Sequence, residues 1–198
     1  MTIITLKKAV CVKRVLGILV LSGGVLLAES TVHFGLGGIV GSESFSVQNP
    51  GVDKLTTSAM LQGVQFKAGY GDIRGYAVEF DIGYGRYDKN IFSDKDTDYI
   101  YFDLSLIKAF DFDIGFYPFF KLGFGTGELE VRRTETNSVS SGSFFAGAGV
   151  YLPIAYGFDL EASAIYRDKS WEGLDMIGAQ VKTRSTLIEP YLGVNYRF

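Results

Sequence analysis

Ten charged residues of this chain alternate with large apolar ones: Lys67, Glu79, Asp81, Asp103, Lys121, Asp159, Glu161, Arg167, Glu189 and Arg197. A period of two belongs to a β-strand, so these side chains share one face and their oily neighbours the other. Charges gathered on an enclosed face must pair, because a buried charge without a partner is costly. A turn centred on Ile73 sets Lys67 opposite Glu79, and one centred on Phe112 sets Asp103 opposite Lys121. Lys67 with Glu79, and Asp103 with Lys121, are therefore the expected ion pairs. Asp81, Glu161, Arg167, Glu189 and Arg197 line the same interior.

Catalysis has few residues to draw on. The single histidine, His33, falls on the inner face at the end of the first strand, away from the long loops. A histidine-activated nucleophile acting on an external or lipid substrate belongs at the other end. Gly123 to Gly127 precede no helix, so their spacing is not a phosphate-binding fingerprint. Asp94, Asp96 and Asp98 have the spacing of a calcium loop but lack its downstream Gly and Glu. Glu128 and Glu130 read as a solvated edge. No catalytic group, cofactor or metal site is expected.

Strands must position the charged face. Eight amphipathic segments of the ~10-residue kind found in membrane barrels follow the alternation. They lie near His33–Gly41, Ala59–Tyr70, Tyr76–Arg86, Tyr99–Phe110, Ile114–Gly127, the run from Phe144, Phe158–Arg167 and Thr186–Phe198. The uncharged stretch from Phe144 to Phe158 contains Gly147, Gly149, Pro153 and Gly157, which disfavour a helix. Short connections at Gly71–Gly75, Asp111–Asp113 and Pro153–Gly157 alternate with longer polar ones near 43–57, 87–98, 128–142 and 168–183. That alternation is the habit of outer-membrane barrels, with short turns on the periplasmic side. Trp171, at the edge of the last loop, is expected to meet a partner or anchor at the interface. An eight-stranded barrel is just wide enough for side chains to fill, and glycines such as Gly35, Gly83 and Gly125 make room beside the long charged ones.

The N-terminus carries Lys7, Lys8, Lys13 and Arg14 before an uncharged run from Val15 to Ala28. That run is short for a membrane helix and suits a signal-peptide core. Residues 1–28 are expected to be a signal, with cleavage alternatively after 30, leaving 31–198 as one barrel. Cys11 leaves with it, which excludes disulfides, thiolate metal sites and a cysteine nucleophile. Loss of four of the 19 basic residues leaves fifteen against 22 acidic ones, a net charge near −7. Nucleic acid is not an expected partner. The remaining 170 or so residues are too few for a sixteen-stranded porin with an aqueous channel.

The chain ends Tyr191-Leu192-Gly193-Val194-Asn195-Tyr196-Arg197-Phe198, a strand closed by an aromatic that carries the terminal carboxylate. With its signal, alternating strands and alternating loops, the sequence resembles the small outer-membrane β-barrels of the OmpA/OmpX/opacity-protein (porin-like) class. The resemblance implies an all-β, eight-stranded antiparallel up-and-down transmembrane barrel, integral to the bacterial outer membrane with periplasmic termini. It implies that Tyr196 and Phe198 form the insertion signal read by the barrel-assembly machinery, and that outer-membrane lipid surrounds the wall. The role it implies is structural or surface-interacting, with a surface ligand met by the loops. A narrow channel or carrier for ions or small hydrophobic solutes is the alternative, and a lipid-modifying enzyme a third.

Overall fold

The computed structural model describes residues 31–48, 55–72, 74–92, 96–131, 138–172, 174–176 and 179–198. The expected signal with Cys11, the tips of the four long loops, Ile73, Asp94 and the Asp96 side chain lie outside the described residues. The strands are β1 (Thr31–Gln48), β2 (Leu55–Gly71), β3 (Tyr76–Tyr87), β4 (Asp96–Ala109), β5 (Tyr117–Val131), β6 (Ser138–Ala155), β7 (Phe158–Trp171), β8 (Leu174–Met176) and β9 (Ala179–Arg197). Each long strand pairs antiparallel with its neighbour, and β9 pairs with both β7 and β1, closing an eight-stranded up-and-down barrel. The short β8 pairs only with the loop end of β9.

Every buried residue of the eight barrel strands carries an odd number. Even-numbered positions turn Phe34, Leu36, Phe66, Phe80, Phe102, Leu122, Phe144, Tyr166 and Val194 outward as an exposed apolar belt. A water-soluble protein does not leave so large a continuous apolar surface uncovered. Tyr196 faces outward as well. Phe198 follows the last strand, gives its backbone N–H to the Val32 carbonyl at 3.0 Å and packs edge-on against Phe34 and Tyr196.

The eight barrel strands are 12 to 19 residues long, not about ten. They continue into the expected loops because the alternation does: Glu43, Phe45, Lys169, Trp171 and Ser185 are all inward and buried. The hairpins differ too. The β4–β5 connection spans 110–116 rather than Asp111–Asp113, with left-handed backbone at Asp113 and Gly115, so β5 begins at Tyr117 instead of Ile114. The β6–β7 hairpin tightens from the expected Pro153–Gly157 to two residues, Tyr156 and Gly157. Both have positive φ, as a type I′ turn requires. The closing ladder between β1 and β9 skips from Ile39–Tyr191 to Ser42–Ile188. In the gap sits Pro190, which has no N–H to donate.

Glycines set how closely the wall can pack. A Cβ on Gly63 would lie 2.1 Å from the Tyr84 carbonyl oxygen and 2.6 Å from the Gly85 Cα, both backbone atoms. On Gly38 it would meet only the Gly63 oxygen, at 4.0 Å. Gly63→Ala should therefore destabilise by ~1–3 kcal/mol, the usual cost of overpacking, and Gly38→Ala by much less. The temperature at which the compact band is lost on unboiled gels measures both.

Candidate functional site: the charged lumen

The inward side chains stack in three tiers. At the hairpin end Ala77, Ile107, Ala109, Phe119 and Tyr151 form an apolar cluster, with the Phe119 and Tyr151 rings stacked at 4.4 Å. Beside it the Arg197 guanidinium grips both Asp159 oxygens at 2.5 and 2.6 Å. His33 Nε2 lies 3.1 Å from Glu79 Oε2. His33 and Asp159, with Asp72, Tyr151 and Asn195, rim a small pocket open at this end.

The middle tier is ionic. Lys67 Nζ donates to Glu161 at 2.6 Å and stands 3.7 Å from Glu79. Lys121 Nζ bridges Glu79 at 2.5 Å and Asp81 at 2.6 Å. Arg167 donates to both oxygens of Asp103 at 2.7 and 2.6 Å, and stands 3.6 Å from Glu189. Its guanidinium lies between the Tyr101 and Phe145 rings, and Lys67 lies over the Tyr191 ring at 3.8 Å. Such charge-assisted bonds and ring faces compensate part of what burial costs each ion. Asp81 Oδ1, Glu189 Oε2 and both amide atoms of Gln65 lack protein partners in this tier.

At the loop end Glu43 accepts from Lys169 at 2.9 Å, the Tyr87 hydroxyl at 2.6 Å and the Ser185 hydroxyl at 2.5 Å. Above this knot Phe45, Leu61, Phe92, Tyr99, Leu129 and Trp171 form the larger apolar cluster. Trp171 is 4% exposed and donates its indole N–H to Ser185 Oγ at 2.7 Å. That corrects the expectation of a surface Trp171: its odd position keeps it on the inner face. The spaces that receive these side chains are glycine-made. A Cβ on Gly125 would fall 1.9 Å from Asp103 Oδ1, and one on Gly83 would fall 2.1 Å from the Tyr101 ring.

All ten charged residues singled out from the sequence, from Lys67 to Arg197, point inward, but the partners differ from those expected. The register sets Lys67 opposite Asp81 and Glu79 opposite Gly69, two residues from the expected pairing, so Lys67 reaches Glu79 only diagonally. Asp103 faces Gly125 and Lys121 faces Ile107, because the longer β4–β5 turn shifts that hairpin by four. The expected Asp103–Lys121 pair is thus replaced by Asp103–Arg167 across the lumen and by Lys121 with Glu79 and Asp81. Glu43 and Lys169 were missed because they fell in expected loops; unbroken parity past Gly41 and Arg167 was the available signal. Among the described residues no group of three His, Cys, Asp or Glu side chains is placed to hold a metal, and Asp98 is engaged by Arg86 at 2.5 Å.

The sequence family described as outer membrane protein beta-barrel domain matches residues 15–198. Neisserial surface protein A is 14% identical with a TM-score of 0.55, over 86% of this chain and 100% of that one. OprG of Pseudomonas aeruginosa is 15% identical with a TM-score of 0.51, over 87% and 99%. AlkL, solved in lipid bilayers, is 14% identical with a TM-score of 0.57, over 86% and 90%. At these identities the likeness is one of fold. No curated protein matches the sequence.

The cross-lumen partners should be visible as coupling. Asp103→Ala leaves Arg167 buried without its bidentate acceptor, a loss of ~3–5 kcal/mol in a dry interior and less where water enters. Adding Arg167→Ala should recover part of that loss, measured by urea unfolding in vesicles. A double variant equal to the sum of the singles shows no partnership.

Proposed function

This chain belongs to the outer membrane protein β-barrel family, and on that premise we propose that it is a closed structural barrel whose loop end meets surface partners. The observation that supports this reading is the packing of the lumen among the described residues, an ionic tier held between two apolar tiers. Loops on a rigid scaffold commonly carry binding, so specificity belongs to the connections near 43–57, 87–98, 128–142 and 168–183. The termini and short hairpins then face the periplasm. Residues 1–28, or 1–30, are the signal that directs export, and Tyr196 and Phe198 are the ending that the assembly machinery engages.

A second reading, narrow passage of cations, draws support from the middle tier. There Asp81 and Glu189 each keep one buried carboxylate oxygen without a protein partner. Planar-bilayer recording separates the two: a structural barrel gives no sustained conductance, and a cation path gives a reversal potential near that of the cation.

In fractionated cells the protein should be found in the outer membrane, start at residue 29 or 31, and migrate differently before and after boiling. External protease on intact cells should cut within the four long connections. Cleavage between 71 and 75 instead would reverse the orientation. Deleting Phe198 should lower the inserted fraction while export continues unchanged.

A further inference from the structure

We infer that the outer wall of the barrel, near its loop end, binds the phosphorylated sugar headgroup of a membrane glycolipid. Outward residues of β5, β6, β7 and β9 form a groove of about 580 Å³ lined by Phe124, Gly142, Phe144, Asp168, Ser170 and Arg184. The register arranges them in two rows. Phe124, Phe144 and Asp168 are successive partners across β5, β6 and β7. Gly142, Ser170 and Arg184 are successive partners across β6, β7 and β9. The Phe124 row is the upper edge of the apolar belt, and the Gly142 row is the first polar one beyond it. The groove has a floor because Gly142 has no side chain; a Cβ there would meet nothing within 4 Å.

Its chemistry is specific. Asp168 and Arg184 are both exposed, and among the described residues neither has an ion-pair partner. A guanidinium offers a planar fork of donors that fits a phosphate. A carboxylate beside it repels a bare phosphate but accepts hydrogen bonds from sugar hydroxyls, and the Ser170 hydroxyl can donate or accept. A neutral sugar would leave Arg184 unused, and a bare phosphomonoester lipid such as phosphatidic acid would leave Asp168 opposed. A phosphorylated sugar satisfies both, with its acyl chains descending over Phe124 and Phe144. The site goes beyond the proposed role and rests only on the wall being lipid-covered; the proposed orientation then sets it in the outer leaflet.

Native mass spectrometry of the full barrel in detergent micelles tests this, with diphosphorylated lipid A, dephosphorylated lipid A and phosphatidic acid as probes. Diphosphorylated lipid A should be retained about tenfold better than its dephosphorylated form, as expected for one charge-assisted contact. Arg184→Gln should weaken retention of lipid A and phosphatidic acid alike. Asp168→Ala should weaken lipid A but strengthen phosphatidic acid, and Gly142→Leu, which fills open space, should abolish both. Unchanged binding in Arg184→Gln, or Asp168→Ala strengthening both lipids, overturns the site. Wild-type heat-modifiable migration of each variant separates loss of the site from loss of the barrel, and failure of the membrane reading itself is read by cell fractionation.

Discussion

The structure depends on neutralising charge where water is scarce. Lys67, Lys121, Arg167, Lys169 and Arg197 share the lumen with Glu43, Glu79, Asp81, Asp103, Asp159, Glu161 and Glu189. No single pair does the work. Lys121 serves two carboxylates, Glu43 serves an ammonium and two hydroxyls, and Arg167 ties three strands together across the bore. Removing one member leaves others buried and unpaired, so the network binds opposite walls of the cylinder more firmly than adjacent-strand contacts alone.

That network is possible only because one parity runs through all eight strands. Pleated strands alternate sides residue by residue, and a slip of one would turn Lys67 and Arg167 into the apolar surroundings and Phe66 and Tyr166 into the lumen. Space is the other requirement. Tyr191 lies over Gly37 and Gly193, Tyr101 over Gly83, and Asp103 over Gly125. Small and large inward residues alternate between neighbouring strands, which lets long ionic side chains interdigitate in a bore this narrow.

The barrel, its strand order and the inward face were legible because period-two alternation depends on nothing but neighbouring residues. Lys67, Asp103 and Arg197 could be assigned a side from their own strands alone. Their partners could not. Pairing depends on register, and register depends on turn geometry that sequence spacing leaves open: the left-handed Asp113 and Gly115 lengthen one hairpin, and the I′ turn at Tyr156 and Gly157 shortens another. The strand ends were hidden for a different reason. Beyond Gly41 and Arg167 the outward residues become polar, so Ser42, Ser44 and Ser170 look like loop although the ladder continues beneath them.

The closing seam carries an interruption within its ladder, with the register unchanged on either side. Where β1 meets β9, proline at 190 withholds a donor and the ladder lapses between Ile39 and Ser42. Directly behind this lapse stands Glu189, with a carboxylate oxygen that no protein group satisfies. The lapse is local: the two strands pair at seven positions on each side of it, so the seam as a whole stays joined while Val40 and Gly41 forgo their ladder partners. The one lapse in this seam thus lies in the wall directly against the ionic tier, where backbone and lumen charge meet.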